Sequence, residues 1–176
     1  GVAGLLVGFL YSLPRVGFKY NALGEPAVFI AFGPLMFLGS FYAATGSLDL
    51  RALVTSAPLG MLITAVLLAN NIRDVESDSK SGIKTLAIIL GPRGSTILYS
   101  TLMLGSIAYT LTLIALRALP ITSIITILIL PQVANLTRVS LRGEIPVDFD
   151  PRTARIVVLY SVLLIASLLA ATIPGW

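Results

Sequence analysis

The sequence predicts an all-α, multi-pass transmembrane bundle, and three observations carry that expectation. Only 11% of the 176 residues are charged, against about 25% in an ordinary water-soluble domain. Residues of the AVILMFWYC set make up 56% of the chain, with a mean hydropathy of +0.95. The few charges also leave five uncharged runs, each long enough to cross a bilayer. Too little polar surface remains to cover such a chain in water.

The runs follow in order. There are 23 uncharged residues between Glu25 and Asp49, 21 between Arg51 and Arg73, and 23 between Arg93 and Arg117. A further 20 lie between Arg117 and Arg138, and 21 follow Arg155. A helix rises about 1.5 Å per residue and the hydrocarbon core is about 30 Å thick, so five full spans are expected. The first apolar piece, Gly1–Pro14, would reach only about 21 Å. It lacks the basic leader of a signal peptide and reads as the tail of a truncated helix. The whole chain, 1–176, is expected to be one membrane domain.

Proline and acid positions punctuate the spans. Gly91-Pro92, Leu119-Pro120 and Asp150-Pro151 place Pro at a first helical turn, where its missing N–H costs nothing. Asp150 is positioned to cap the last helix. Pro34, Pro58 and Pro131 fall inside spans and are expected as kinks.

Basic residues set the orientation. The loops at 15–25, 73–93 and 138–155 hold ten Lys and Arg, whereas those near Arg51 and Arg117 hold one each. By the positive-inside rule the first set faces the cytoplasm of a cell membrane, and Trp176 sits at the outer interface. The net charge of +4 is therefore a topology signal. No basic stripe with interleaved aromatics accompanies it, so no nucleic-acid partner is expected. The absence of Cys and His removes disulfides, thiolate metal sites, Cys nucleophiles and the usual proton shuttle.

Chemistry concentrates in one loop, Asn70-Asn71-Ile72-Arg73-Asp74-Val75-Glu76-Ser77-Asp78, continuing through Lys80, Gly82, Lys84 and Thr85. On a helix continued to Asp78, residues four apart are offset by about 40°, so Asn70, Asp74 and Asp78 share one stripe with Asn71 beside it. Glu76 falls about 160° away. Two carboxylates one turn apart repel each other, and the negative end of the helix dipole adds to the penalty. A cation removes both, and Mg²⁺ suits one or two carboxylates completed by waters and phosphates.

The pattern Asn-Asn-x-Arg-Asp-x-x-x-Asp-x-x-x-Gly-x-x-Thr-Leu-Ala at 70–87 resembles the second aspartate-rich motif of the UbiA superfamily of intramembrane prenyltransferases. Tyr11, Tyr20, Leu23-Gly24-Glu25, Phe32-Gly33-Pro34, Gly39, Tyr42 and Thr45-Gly46 are similar to the pattern of 1,4-dihydroxy-2-naphthoate prenyltransferases of menaquinone synthesis. The resemblance covers residues 11–91; the later helices match only in number and polarity.

The resemblance implies a nine-helix bundle with two cytoplasmic aspartate motifs facing each other over a central cavity. An isoprenyl diphosphate would bind there through Mg²⁺, and an aromatic acceptor would capture the allylic cation. Asp74 and Asp78 carry over as metal ligands and, with Lys84, as the catalytic set. Lys84, Arg73 and Lys19 lead the candidates for diphosphate contact, ahead of Lys80 and Arg15. Tyr11-x-x-x-Arg15 stands where the family has Tyr-x-x-x-Lys, so Arg15 and Lys19 remain alternatives. Tyr11, Asn70 and Asn71 are expected to contact or orient substrate. Gln132 and Asn135 are expected either to line the cavity or to bond between helices.

The superfamily also has a separate first motif, Asn-x-x-x-Asp-x-x-x-Asp; in these 176 residues that spacing occurs only at Asn70, Asp74 and Asp78, already matched to the second motif, so the first is expected to be absent. The chain is therefore expected to be the C-terminal part, partnered by N-terminal helices of the same protein and inactive alone. Other acceptors (4-hydroxybenzoate, homogentisate, chlorophyllide, haem or an archaeal glycerol-phosphate lipid) fit the same superfamily. A non-catalytic bundle or transporter half is the rival class, but it should carry ionisable groups at the midplane of broken helices.

Overall fold

The computed structural model describes Gly17 and residues 21–172. Tyr11, Arg15, Lys19 and Tyr20 lie outside the described residues, as do Trp176 and residues 1–14, for which the sequence predicts the end of a helix.

Five helices long and apolar enough to cross a membrane follow one another: α1 (Gly24–Thr45), α2 (Leu50–Arg73), α4 (Leu86–Ala115), α5 (Ile121–Leu141) and α6 (Phe149–Ala170). Between α2 and α4 lies a short α3 (Val75–Lys80). No strand occurs among the described residues; the one β-bridge joins Asn21 to Lys84. All five expected spans are present, so the fold class is all-α and multi-pass.

Pro34, Pro58 and Pro92 each sit at a local break of a span, by a different device, whereas Pro120 stands at the N-cap of α5 rather than in its first turn. Pro34 lies in a π-helical segment, Ala31–Leu35, where the wider turn absorbs its missing donor. Pro58 sits in the first turn of Ala57–Arg73, which restarts after a break at Ser56. Pro92 follows Gly91, whose φ of 69° and ψ of 176° interrupt α4. The straight part, residues 92–115, still reaches about 36 Å. Asp150 departs from expectation. Asp148 holds the N-cap position of α6 without a capping bond from its side chain. Asp150 lies one residue inside the helix, and its carboxylate is engaged elsewhere by Arg73.

Helix α5 opens with nine 3₁₀ residues, Ile121–Ile129, and continues as α-helix over Leu130–Leu141. Three residues per turn align positions three apart. Ser123, Thr126 and Ile129 are accordingly the buried residues of that segment. Its greater rise gives α5 about 36 Å from 21 residues, against about 31 Å as pure α-helix. The spans are thus more irregular than charge-free runs suggest. The irregularities at 31–35, 56 and 121–129 involve no ionisable residue, so they do not make the midplane ion site a transporter half requires.

Helix α2 forms the centre of the core. Its Leu62, Ala65, Leu68 and Ala69 are completely buried in one cluster with Tyr99 and Met103 of α4, Ile156 and Tyr160 of α6, and, farther round the core, Ile129 and Val133 of α5. Hydroxyl pairs link α4 to α6 within this core: Tyr99 to Thr153 at 2.9 Å and Thr110 to Tyr160 at 2.8 Å. In lipid such pairs matter because no water competes for them. Large apolar side chains on the outer faces, among them Phe32, Leu104, Leu128, Val162 and Ile165, remain exposed, as a lipid-facing surface requires.

Small residues let α1 and α2 approach closely. A Cβ on Gly60 would stand 3.2 Å from the Gly33 Cα and 3.1 Å from the Phe29 ring. Gly60→Val should therefore destabilise the protein by about 1–3 kcal/mol. Gly39→Val, where a Cβ meets nothing within 4 Å, should be much milder. Thermal unfolding in detergent compares the two, and equal losses would show that the crossing is not tight.

Candidate functional site

The loop that carries the acids is built by three backbone devices. Helix α2 pauses at Asp74, whose φ of −97° and ψ of 11° leave the α region. The hydrogen-bond ladder nevertheless continues through it: Asp74 N–H donates to Asn70 O at 3.0 Å, and Asp78 N–H to Asp74 O at 2.9 Å. The stripe therefore survives the pause. Asn70, Asp74 and Asp78 are half-buried, whereas Glu76 is exposed.

Helix α3 ends in a Schellman turn. Ile83 N–H donates to Asp78 O at 3.0 Å and Gly82 N–H to Ser79 O at 3.2 Å, with Gly82 at φ +69°. That conformation disfavours any residue with a Cβ. Thr85 then caps α4, its Oγ1 accepting from Ile88 N–H at 3.3 Å. The Gly and Thr of the motif are thus turn and cap, which aim the acidic helix and restart the next span.

Three contacts gather the loops at one end of the bundle. Ala22 N–H donates to Lys84 O at 2.8 Å, tying the first loop to the third. Asn71 Nδ2 donates to Glu25 Oε1 at 2.9 Å, joining α1 to α2. Both residues are buried, Glu25 with 3% exposure. Arg73 is the hub of the third contact. Its Nε and Nη2 grip the two oxygens of Asp74 at 2.8 and 2.9 Å, Nη2 also donates to Asn70 Oδ1 at 2.8 Å, and Nη1 donates to Asp150 Oδ1.

The Arg73 guanidinium holds the Asp74 carboxyl below the ordinary carboxylate range, the gain outweighing the small cost of burial. Asp74 is therefore ionised throughout the neutral range. The stabilisation from its pairing is fully present above the unfolded-chain pKa and is lost as pH falls through the lowered value.

Of the sequence-predicted site residues, Asn70, Asn71, Arg73, Asp74 and Asp78 come together here. Lys84 contributes its backbone carbonyl to the Ala22 contact, while its side chain, like that of Lys80, is exposed. Gln132 and Asn135 are exposed on α5 and make no hydrogen bond with any described residue, so the expected helix–helix bonds are not formed. Sequence reasoning gave no site role to Glu25 or Asp150. Glu25 was visible only as the end of a charge-free run and as part of the Leu23-Gly24-Glu25 pattern.

No group of three or more His, Asp or Glu able to hold a metal occurs among the described residues. Asn70, Asp74 and Asp78 stand one turn apart along the backbone ladder, with the Asn70 amide oxygen and both Asp74 oxygens engaged by Arg73. One or two carboxylates would suit a Mg²⁺ that keeps several waters rather than a closed protein cage.

The sequence model of the UbiA prenyltransferase family matches residues 1–142. Among curated relatives, the chain is similar to "UbiA prenyltransferase domain-containing protein 1" of Homo sapiens, with 36% identity over 168 residues, covering 96% of this chain and 48% of the relative. The Mus musculus protein of that name is 34% identical over 168 residues, covering 96% and 49%. The Drosophila melanogaster homolog is 33% identical over 165 residues, covering 93% and 45%. The chain spans about half the length of the curated relatives it matches.

Proposed function

Because the chain belongs to the UbiA prenyltransferase family, we propose that it takes part in Mg²⁺-dependent transfer of an isoprenyl group from an isoprenyl diphosphate to an aromatic quinone precursor within the membrane. The observation that carries this reading is the half-buried Asp74/Asp78 face at the end of a charge-free span, with exposed Glu76 turned away.

Bound Mg²⁺ would supply charge neutralisation to a leaving diphosphate. Asp74 and Asp78 are the residues to hold it, and Asn70 orients the first of them through Arg73. Arg73, engaged by Asp74, Asn70 and Asp150, positions the Asp74 carboxylate, and its guanidinium would reach phosphate oxygens only by exchanging that pair for them. Lys84 and Lys80 add positive charge from the exposed turn, where diphosphate approaches. The apolar bundle excludes water, which would otherwise capture an allylic cation. By the family resemblance, a second acidic motif would face this stripe and complete the metal clamp.

The acceptor we favour is 1,4-dihydroxy-2-naphthoate, on the strength of the Tyr11 to Gly46 pattern. Membranes containing the whole protein, supplied with labelled isoprenyl diphosphate and one acceptor at a time, should prenylate dihydroxynaphthoate in preference to 4-hydroxybenzoate or a glycerol-phosphate lipid. Equal or greater product from either of the others would remove that assignment while leaving prenyl transfer intact.

Orientation follows the basic-residue count, with the acidic loop cytoplasmic. Single cysteines at Lys80 and Arg142 should react with an impermeant thiol reagent from the cytoplasmic side, and those at Ser47 and Arg117 from the other. Labelling of Lys80 and Ser47 from the same side would contradict this arrangement.

A further inference from the structure

Opposite the Asp74/Asp78 stripe, a cavity of about 870 Å³ opens between the end of α2, the start of α4 and the end of α5. Helical geometry puts Ile72 and Glu76 about 160–200° from Asp74, so this is the other face of the same segment. The cavity combines three charged residues, Glu76, Arg93 and Arg142, with apolar walls that include Ile72, Ile97 and Leu141. Arg73 also borders it, but its guanidinium is already held by Asp74, Asn70 and Asp150.

Glu76, Arg93 and Arg142 make no ion pair among the described residues, even with one another. Opposite charges thus share one cavity at a separation that leaves room between them. Their position is equally specific. Glu76 lies just beyond the end of α2, Arg93 opens the straight part of α4, and Arg142 follows the last residue of α5. All three stand where spans emerge from hydrocarbon, the level of lipid headgroups.

We propose that this cavity binds an aminophospholipid, with Arg93 and Arg142 on the phosphate, Glu76 on the primary ammonium, and the apolar walls against the acyl chains. Guanidinium is the side chain best matched to phosphate oxygens. A primary ammonium can donate to Glu76, which the quaternary ammonium of a choline headgroup cannot. A purely anionic headgroup would satisfy the arginines and leave Glu76 repelled. Ser95 and Ser140, which also line the cavity, give their hydroxyl hydrogens to backbone carbonyls at 2.8–3.0 Å, so the charged trio carries the recognition.

The test reconstitutes the whole protein in vesicles of equal parts phosphatidylethanolamine, phosphatidylcholine and phosphatidylglycerol, and identifies the retained lipid by native mass spectrometry. Phosphatidylethanolamine should be enriched about tenfold over phosphatidylcholine, the size of one charge-assisted bond. Arg93→Gln with Arg142→Gln should abolish retention of all three lipids. Glu76→Lys should switch the preference to phosphatidylglycerol, a gain that misfolding does not produce. Bound lipid mirroring the bulk mixture, or enrichment unchanged in the double arginine variant, would overturn the proposal. Prenyl transfer is not the readout, so the lipid site and the transfer chemistry stand or fall separately.

Discussion

Replacing either Asp74 or Asp78 by Ala should remove most of the proposed prenyl transfer, an expected loss of about 10²–10³-fold, the size seen when one preorganised electrostatic group leaves a water-excluded site. Glu76→Ala should cost at least tenfold less. The three acids lie within five residues of one another and share the same loop, so proximity alone would predict similar losses. Helical phase separates them. Asp74 and Asp78 are half-buried on one face, and the ladder through Asn70 O, Asp74 and Asp78 N–H keeps them one turn apart. Rates measured in membranes containing the whole protein decide this. Equal losses at all three positions would show that the face does not matter, and unchanged rates in both Asp variants would remove the metal assignment itself.

The second large effect is expected at Glu25. Its carboxylate accepts from the Asn71 amide at 2.9 Å in a buried setting, and this is the contact that fixes the first span to the start of the acidic stripe. Glu25→Ala leaves the Asn71 amide without its acceptor, at a cost of about 1–3 kcal/mol. It should lower thermal stability in detergent and slow transfer together. Glu25→Gln keeps an acceptor oxygen at the same position and should retain most of both. If Glu25→Gln is as damaging as Glu25→Ala, the negative charge rather than the hydrogen bond is what matters there.

How far the sequence reveals this arrangement depends on the range of each interaction. The spans are legible because charge is expensive in hydrocarbon, so each of α1, α2, α4, α5 and α6 overlaps one charge-free run, although α4 and α6 begin several residues before theirs. Gly91-Pro92 is legible for a local reason: a left-handed Gly followed by a fixed φ restarts a helix wherever it occurs. Gly82 and Thr85 mark a turn and a cap in the same way. The 3₁₀ opening of α5 is not legible, because it goes with Thr122 and Ser123 bonding to Ser167 of α6, 44–45 residues away. The site shows the same division. The Asp74/Asp78 stripe is a property of one helix and follows from spacing. The Asn71–Glu25 contact joins residues 46 positions apart and the Arg73–Asp150 pair residues 77 apart, so only the folded bundle reveals them. Asp150 illustrates the limit. Beside Pro151 it has the local look of a cap, but the folded structure engages it through the hub at Arg73.

Mg²⁺ dependence and the role of the Asp74/Asp78 face can be tested together. The most direct measurement follows labelled prenyl product from isoprenyl diphosphate and dihydroxynaphthoate in membranes containing the whole protein, with Mg²⁺, after chelation, and after Mg²⁺ is restored. Product should form, disappear on chelation and return with Mg²⁺, and it should remain absent under all three conditions in the Asp74→Ala, Asp78→Ala double variant. Product that survives both chelation and the double substitution would contradict the assignment.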